Sequence, residues 1–208
     1  MKDKKLMAVV YAVLAAVFYA INTPISKLLL DHVPSVFMAS FLYFGAGIGV
    51  GLMYLFNRNR VNEDKLEKKD LPYTLGMIIL DIAAPIFLMI GIRLGNASDA
   101  SLLGNFEIVA TAMIALLLFK EKVSRKLWMA IALITVSSII LSVDGESEFS
   151  FSYGSIFVLL ATLCWGMENN CTRSISDKST YEIVTIKGLG SGTGSFIVAI
   201  SMGESLPE

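Results

Sequence analysis

The sequence is poor in charge and in the residues that build metal sites and disulfides. Its 208 residues include one histidine and two cysteines, and only 17% are charged, against about 25% in an average soluble domain. Four stretches contain no Asp, Glu, Lys or Arg: residues 6–26, 33–57, 127–143 and 149–167. A helix that crosses a bilayer needs about 17–25 apolar residues. The composition therefore excludes an ordinary soluble domain, a disordered chain and a secreted disulfide scaffold.

The few cysteines and the single histidine argue against a disulfide and a metal site. Cys164 and Cys171 lie seven residues apart in one apolar stretch. On a helix this is about 10 Å of rise, beyond the roughly 7 Å that a disulfide spans between Cα atoms. His32 has no second histidine or cysteine near it, so we expect no zinc site and no cofactor. The net charge of -1 gives no reason to expect nucleic acid as a partner.

The apolar stretches predict an all-α polytopic membrane protein with about seven transmembrane helices. The predicted spans cover residues 6–27, 34–56, 71–92, 97–119, 126–143, 153–173 and 183–202. The N-terminus and alternate connections hold most of the 17 Lys and Arg residues, and cytoplasmic loops retain excess positive charge. We therefore expect an integral protein of a prokaryotic plasma membrane with its N-terminus in the cytoplasm.

The chain contains a diverged internal repeat. Residues 18–27 align with residues 164–173 at one offset, pairing an aromatic, a small, a polar, a hydroxyl and a cationic residue in the same order. The next span of each copy carries four glycines at alternate positions, which align at an offset of 143 (45 to 188). They are Gly45, Gly47, Gly49 and Gly51, and Gly188, Gly190, Gly192 and Gly194. Five spans separate equivalent points, so the second copy would be inverted, as in many secondary transporters.

The repeat divides the chain into residues 1–146, a first five-helix copy, and residues 147–208, which hold two helices of a second copy. We therefore expect a ten-helix parent fold of which this chain supplies about seven helices. A protein with seven helices in all is the alternative. Glycines four residues apart let helices approach closely. We expect the glycines to pack within one chain, with dimerisation or sliding during alternating access as alternatives.

Two stretches resemble a known family. Residues 97–107, ending at Glu107, and residues 111–121 are similar to the fourth helix and following basic loop of the drug/metabolite transporter superfamily, specifically proteins with tandem EamA domains. Trp165 and Arg173 resemble the start of the second EamA copy. The family usually has proline after the glutamate, where this chain has Ile108. The resemblance implies two inverted five-helix repeats around a central cavity and transport of small metabolites.

Polar residues inside the apolar spans are the candidate solute- or proton-binding groups. They are Asn22, Asp81, Glu107, Glu168 and Asn169. An ionised group at the bilayer centre costs about 2.5–3.5 kcal/mol, so we expect Asp81 and Glu107 to face each other or a cavity, which the two could share. A neutral, hydrogen-bonded carboxylic acid that packs between helices is the alternative for each. Hydrogen bonding between helices is the alternative role for Asn22 and Glu168. Lys187, near the end of its span, is expected to extend its amine to the lipid headgroups.

These observations predict secondary-active transport of a small organic solute by alternating access, with proton coupling through Glu107 or Asp81. The expected partners are the lipid bilayer and the solute, with a homodimer as an open alternative. A non-transporting membrane protein, such as a subunit or receptor, and an inactive fragment are the competing interpretations. A membrane enzyme would need a nucleophile, base or metal cluster near the midplane, and we expect no enzymatic activity.

Overall fold

The computed structural model describes residues 6–7, 9–15, 17–18, 29, 32–57, 63–94, 103–122, 124–142 and 153–206. Within that part of the chain the regular structure is helical, apart from an isolated bridge between Asp64 and Lys178. This confirms the predicted all-α class. The seven helices are numbered in the order of the predicted spans.

The first helix, α1, is described at residues 6–7, 9–15 and 17–18. The others are α2 (Ser35–Asn57), α3 (Leu71–Leu94), α4 (Phe106–Leu117), α5 (Arg125–Ser142), α6 (Tyr153–Ser174) and α7 (Thr180–Ser201). A helical turn at Lys68–Asp70 leads into α3. Among the described residues, Ser35–Phe56, Lys68–Leu88 and Thr180–Ser201 are long and apolar enough to cross a membrane. The α4 helix is a shorter apolar segment, because a turn at Asn105 precedes it.

The α2 and α7 helices cross at a close contact between two glycines. A Cβ on Gly188 would lie 2.5 Å from backbone atoms of Gly47, so only glycine permits this approach. Towards one end of the pair Gly51 faces Thr185, and towards the other the ring of Phe37 packs on a ring in α7 at 5.3 Å. Residue numbers rise along one helix as they fall along the other, so the two helices run antiparallel.

The remaining contacts give the directions of the other helices. In α3 and α6, Gly76 faces Cys171 and Gly91 faces Val158, so this pair is antiparallel. In α3 and α7, the side chains of Ile78 and Ile82 occupy the space beside two successive glycines of α7, so this pair is parallel. Those glycines are Gly190 and Gly194. Ala110 of α4 faces Gly166 of α6, and further along both helices the loop after α4 meets the end of α6, so these two helices are also parallel. Thus α2, α4 and α6 share one direction and α3 and α7 share the other.

The basic connections lie together at one end of the helices. The loop after α4 meets the end of α6 through an ion pair between Glu121 and Arg173, 2.8 Å apart. The loop after α2 meets the turn before α7 through Glu67 and Lys178, whose charged atoms are 3.2 Å apart. At the opposite end the Glu204 carboxylate accepts hydrogen bonds from the first backbone N–H groups of α2. This grouping is what the charge pattern predicts.

The glycines of α2 and α7 pack against different neighbours. Gly47 faces α7, Gly190 faces α3 and Gly192 faces α2. Packing within one chain is confirmed for these three glycines, whereas a Cβ on Gly45 would meet no atom of the described residues within 4 Å.

Candidate functional site

Three charged side chains from three helices meet inside the helix bundle. The amine of Lys187 lies 2.9 Å from Glu168 Oε1 and 3.4 Å from Asp81 Oδ2. We call Asp81, Glu168 and Lys187 the charged cluster. Asp81 and Glu168 are each only 3% exposed, and Lys187 is half-buried. The Thr172 hydroxyl donates a further hydrogen bond of 2.5 Å to Glu168.

The packing of the helices positions these three groups. In the antiparallel pair of α3 and α6, the contact between Gly76 and Cys171 places Asp81 opposite Glu168. Lys187 lies one turn before Gly190, where the missing side chain admits Ile78 and draws α7 against α3. The lysine side chain therefore reaches along α7 to both carboxylates.

A second polar group faces the other side of α6. The Asn169 amide donates to Glu107 Oε1 at 2.9 Å and lies 3.3 Å from the Thr111 hydroxyl. The neighbouring Asn170 amide, which is buried, donates to the backbone carbonyls of Thr111 at 3.0 Å and Gly166 at 2.7 Å. A Cβ on Gly166 would lie 2.9 Å from α4, so glycine permits the close contact of α4 with α6.

The second group lines a pocket of about 280 Å³ between α4, α5 and α6, which we call the α4–α6 pocket. Its walls combine acidic, amide and hydroxyl groups with small or apolar side chains, and basic residues join them at its charged rim. The lining residues are Glu107, Ile108, Thr111, Ala112, Ala115, Glu121, Lys122, Leu127, Asn169, Asn170 and Arg173. The ion pair between Glu121 and Arg173 is part of the rim, at the end where the basic connections lie.

The two groups have different chemistry. The charged cluster is filled by its own lysine, so its carboxylates already have a cationic partner. The α4–α6 pocket has free volume beside a carboxylate oxygen, an amide and a hydroxyl, which suits a small solute with hydrogen-bond donors and an apolar part. Among the described residues, no group of three or more His, Cys, Asp or Glu side chains is placed to hold a metal ion.

Comparison with known proteins gives the family. The model of the EamA-like transporter family matches residues 6–143, more than half of the chain. The chain belongs to the EamA-like transporter family. It is also 22% identical over 214 residues to a protein of Methanothermobacter thermautotrophicus described as an uncharacterized transporter. That alignment covers 96% of this chain and 62% of the relative, so the chain spans under two thirds of the relative's length.

Membership in the EamA-like family makes the chain an integral membrane protein, and the structure places the candidate carboxylates Asp81 and Glu107 in different groups. Asp81 joins Glu168 and Lys187, whereas Glu107 joins Asn169 in the α4–α6 pocket. Asp81 is not among the residues that line this pocket, because α6 packs between α3 and α4. Asn22 lies outside the described residues.

The expected role of Lys187 is also wrong. Its amine contacts two buried carboxylates rather than headgroups. The predicted span began at residue 183, but α7 begins at Thr180, which places Lys187 almost one turn deeper than expected. A lysine in one span and acids at similar depth in two others is the signal that could have indicated this pairing.

Thr111 and Arg173 are among the lining residues of the α4–α6 pocket that were not predicted as site residues. Thr111 was used only for the family resemblance, and Arg173 only for the repeat, the loop charges and the family resemblance. Thr111 lies four residues after Glu107, which places both on one face of α4. This spacing could have indicated the hydroxyl, whereas the pairing of Arg173 with Glu121 depends on how α6 packs on the loop after α4.

Proposed function

We propose that this protein carries out secondary-active transport of a small organic solute, which binds in the α4–α6 pocket. The observation that carries the proposal is the pocket itself: about 280 Å³ beside Glu107 and Asn169, with a charged rim, in a member of a transporter family. Glu107 would accept a hydrogen bond from the solute, Asn169 would orient that carboxylate, and the side chains of Ala112 and Ala115 would contact the apolar part.

The arrangement of α2 and α7 supports alternating access between two inverted repeats. These helices carry the two glycine series, run antiparallel and cross at Gly47 and Gly188. Inverted repeats that rock against each other are the usual basis of alternating access. We propose residues 1–146 as the first repeat and residues 147–208 as part of the second. Homodimerisation stays a prediction, for which Gly45 offers an open small-residue surface.

The proposed orientation places the N-terminus in the cytoplasm and the charged rim of the pocket at the cytoplasmic side of the plasma membrane. The basis is the grouping of the basic connections at one end of the helices together with the preference of cytoplasmic loops for Lys and Arg. We further propose that movement of the solute is coupled to protons.

The test is binding and uptake by the 208-residue chain reconstituted in lipid vesicles. A panel of labelled amines, amino acids and organic acids is first screened for thermal stabilisation of the purified protein, and each hit is then measured for uptake under an imposed pH gradient. A hydrogen bond to a charged group contributes about 1.5–3 kcal/mol. Glu107→Gln should therefore weaken binding of a hit about tenfold or more.

Asn169→Ala should weaken the same hit less, because it removes a group that orients Glu107. The matched control is Glu67→Gln, which changes an exposed acid far from the pocket. It should bind and transport as the unchanged protein does. Hits that bind and move equally well in the Glu107→Gln and Asn169→Ala variants would remove the α4–α6 pocket from the function.

A further inference from the structure

We infer that the charged cluster is a binding site for a single proton, separate from the solute pocket. Asp81 and Glu168 would share this proton beside the fixed charge of Lys187. The role of the site in driving transport rests on the proposed function, whereas the binding of the proton does not.

The charge count of the cluster is the first argument. Two carboxylates and one amine leave one net negative charge when all three are ionised. Asp81 and Glu168 are 3% exposed, and an uncompensated charge at such a position is costly. Among the described residues, Lys187 is the sole Lys or Arg within ion-pair distance of either carboxylate. One bound proton would make the cluster neutral.

The geometry supplies an oxygen for that proton. Asp81 Oδ2 is fully buried and accepts no hydrogen bond from the described residues, although the Lys187 amine lies 3.4 Å away. The better-placed bond of that amine goes to Glu168 Oε1 at 2.9 Å, which also accepts from Thr172. A proton on Asp81 Oδ2 would remove the negative charge from this buried carboxyl group, which is costly to keep ionised while this oxygen lacks a hydrogen bond. Binding adds a proton to a carboxylate oxygen, release removes it, and no other bond changes.

Each helix packed around the charged cluster contributes polar or titratable groups, and Asp81 and Glu168 are the carboxylates among them. From α2, the Tyr43 hydroxyl lies 3.5 Å from the backbone carbonyl of Asp81 and also hydrogen-bonds the Asp81 side chain. From α6, the Thr172 hydroxyl donates a hydrogen bond to Glu168. The buried thiol of Cys171 lies one turn after Glu168 and packs against Met77. From α7, the cluster receives the Lys187 amine. The acid of α4, Glu107, bonds instead to the opposite side of α6.

The α6 helix connects this proton site to the solute pocket. Glu168 faces the charged cluster, and Asn169, the next residue, bonds to Glu107 in the pocket. A change in the position of α6 when the cluster gains or loses its proton would therefore change the pocket as well. By thermodynamic linkage, solute and proton would alter each other's affinity by the same factor.

The test follows the proton directly and needs no solute. The 208-residue chain is placed in nanodiscs of uncharged lipid, and the carbonyl stretch of protonated carboxylic acids is recorded by infrared difference spectroscopy as the pH is changed. We expect a band that titrates reversibly with an amplitude of one proton per chain. It should be absent in Asp81→Asn and Glu168→Gln and retained in Glu107→Gln.

Two conservative variants show whether a lost band reflects a lost proton site or an unfolded protein. Asp81→Glu and Glu168→Asp keep the carboxylates and should keep a titrating band, and every variant is compared by size exclusion and helix content. A band that survives both Asp81→Asn and Glu168→Gln, or that disappears in Glu107→Gln, overturns the proton site. A band removed by sodium at constant pH also overturns it in favour of a metal-cation site. If the band behaves as expected but no solute is transported, the proposed function fails and the proton site stands.

Discussion

The two sides of α6 differ although the residues that define them are adjacent. Glu168 faces α3 and α7, where Ile78 fills the space beside Gly190 and the charges close on one another. Asn169 faces α4, where the opposing side chains include Ala112 and leave a pocket. Where a branched side chain fills the space beside a small residue, the two helices pack without a gap. Where no side chain fills that space, a pocket remains. Packing thus separates a charged cluster from a solute-sized space.

The largest effect is expected from removing the lysine of the charged cluster. Lys187→Met leaves two buried carboxylates without an ionic partner, and breaking a buried ion pair in this way costs roughly 3–5 kcal/mol. Unfolding in mild detergent with increasing denaturant measures the loss. The double variant Lys187→Met with Asp81→Asn should recover part of it. Lys69→Met, at an exposed lysine, is the control, and an equal loss in this control would contradict the prediction.

The close approach of α2 and α7 gives the next effect. Gly188→Ala places a Cβ 2.5 Å from the backbone of Gly47, so the helices must separate, at a cost of about 1–3 kcal/mol. Gly45→Ala changes a residue whose new Cβ would have no atom of the described residues within 4 Å. It should stay within about 0.5 kcal/mol of the unchanged protein. Thermal unfolding of both variants checks the difference, and equal melting temperatures would argue against the crossing.

The adjacent residues Asn169 and Asn170 are expected to differ in role, because Asn170 holds α4 against α6 and Asn169 faces the solute pocket. Asn170→Ala leaves buried backbone carbonyls of Thr111 and Gly166 without their side-chain donor, which should cost about 1–2 kcal/mol of stability. Asn169→Ala should cost less, because Asn169 is half-buried beside free volume, while changing solute binding more. Parallel measurement of unfolding and binding tests this, and a reversed order would mean that Asn169 holds the helices together.

The smallest effect concerns the loops at the charged end. Lys69 and Lys178 hold the pKa of Glu67 below its ordinary value of 4.5. A carboxyl whose pKa is lowered on folding adds stability above its unfolded pKa, and this is lost as the pH falls through the lowered value. Unfolding between pH 6 and about pH 3 should show a small loss that Glu67→Gln abolishes. A high salt concentration should weaken the effect, and a pH dependence unchanged in this variant would contradict it.

The sequence alone predicted much of the fold, because charge-free stretches and basic loops mark helices and their direction. Five helices, α2, α3, α5, α6 and α7, start and end within a turn of the predicted limits. The predicted end of the first span and the predicted start of the fourth lie outside the described residues. The site was less accessible to sequence reasoning. Periodicity shows that Asp81 and Glu107 lie inside spans, but not that α6 separates them. Only the packing shows how each helix is rotated about its axis, and this rotation decides the partners of Lys187.

The most direct test of the central claim compares the accessibility of the two sides of α6. In a chain without its native cysteines, Ala115→Cys lines the α4–α6 pocket and Ser191→Cys lies fully buried in α7. Both are treated with a membrane-impermeant maleimide in inside-out and right-side-out vesicles. We expect rapid labelling of Ala115→Cys from the cytoplasmic side alone and little labelling of Ser191→Cys from either side. Equal labelling of the two cysteines, or labelling of Ala115→Cys only from the outer side, would contradict it.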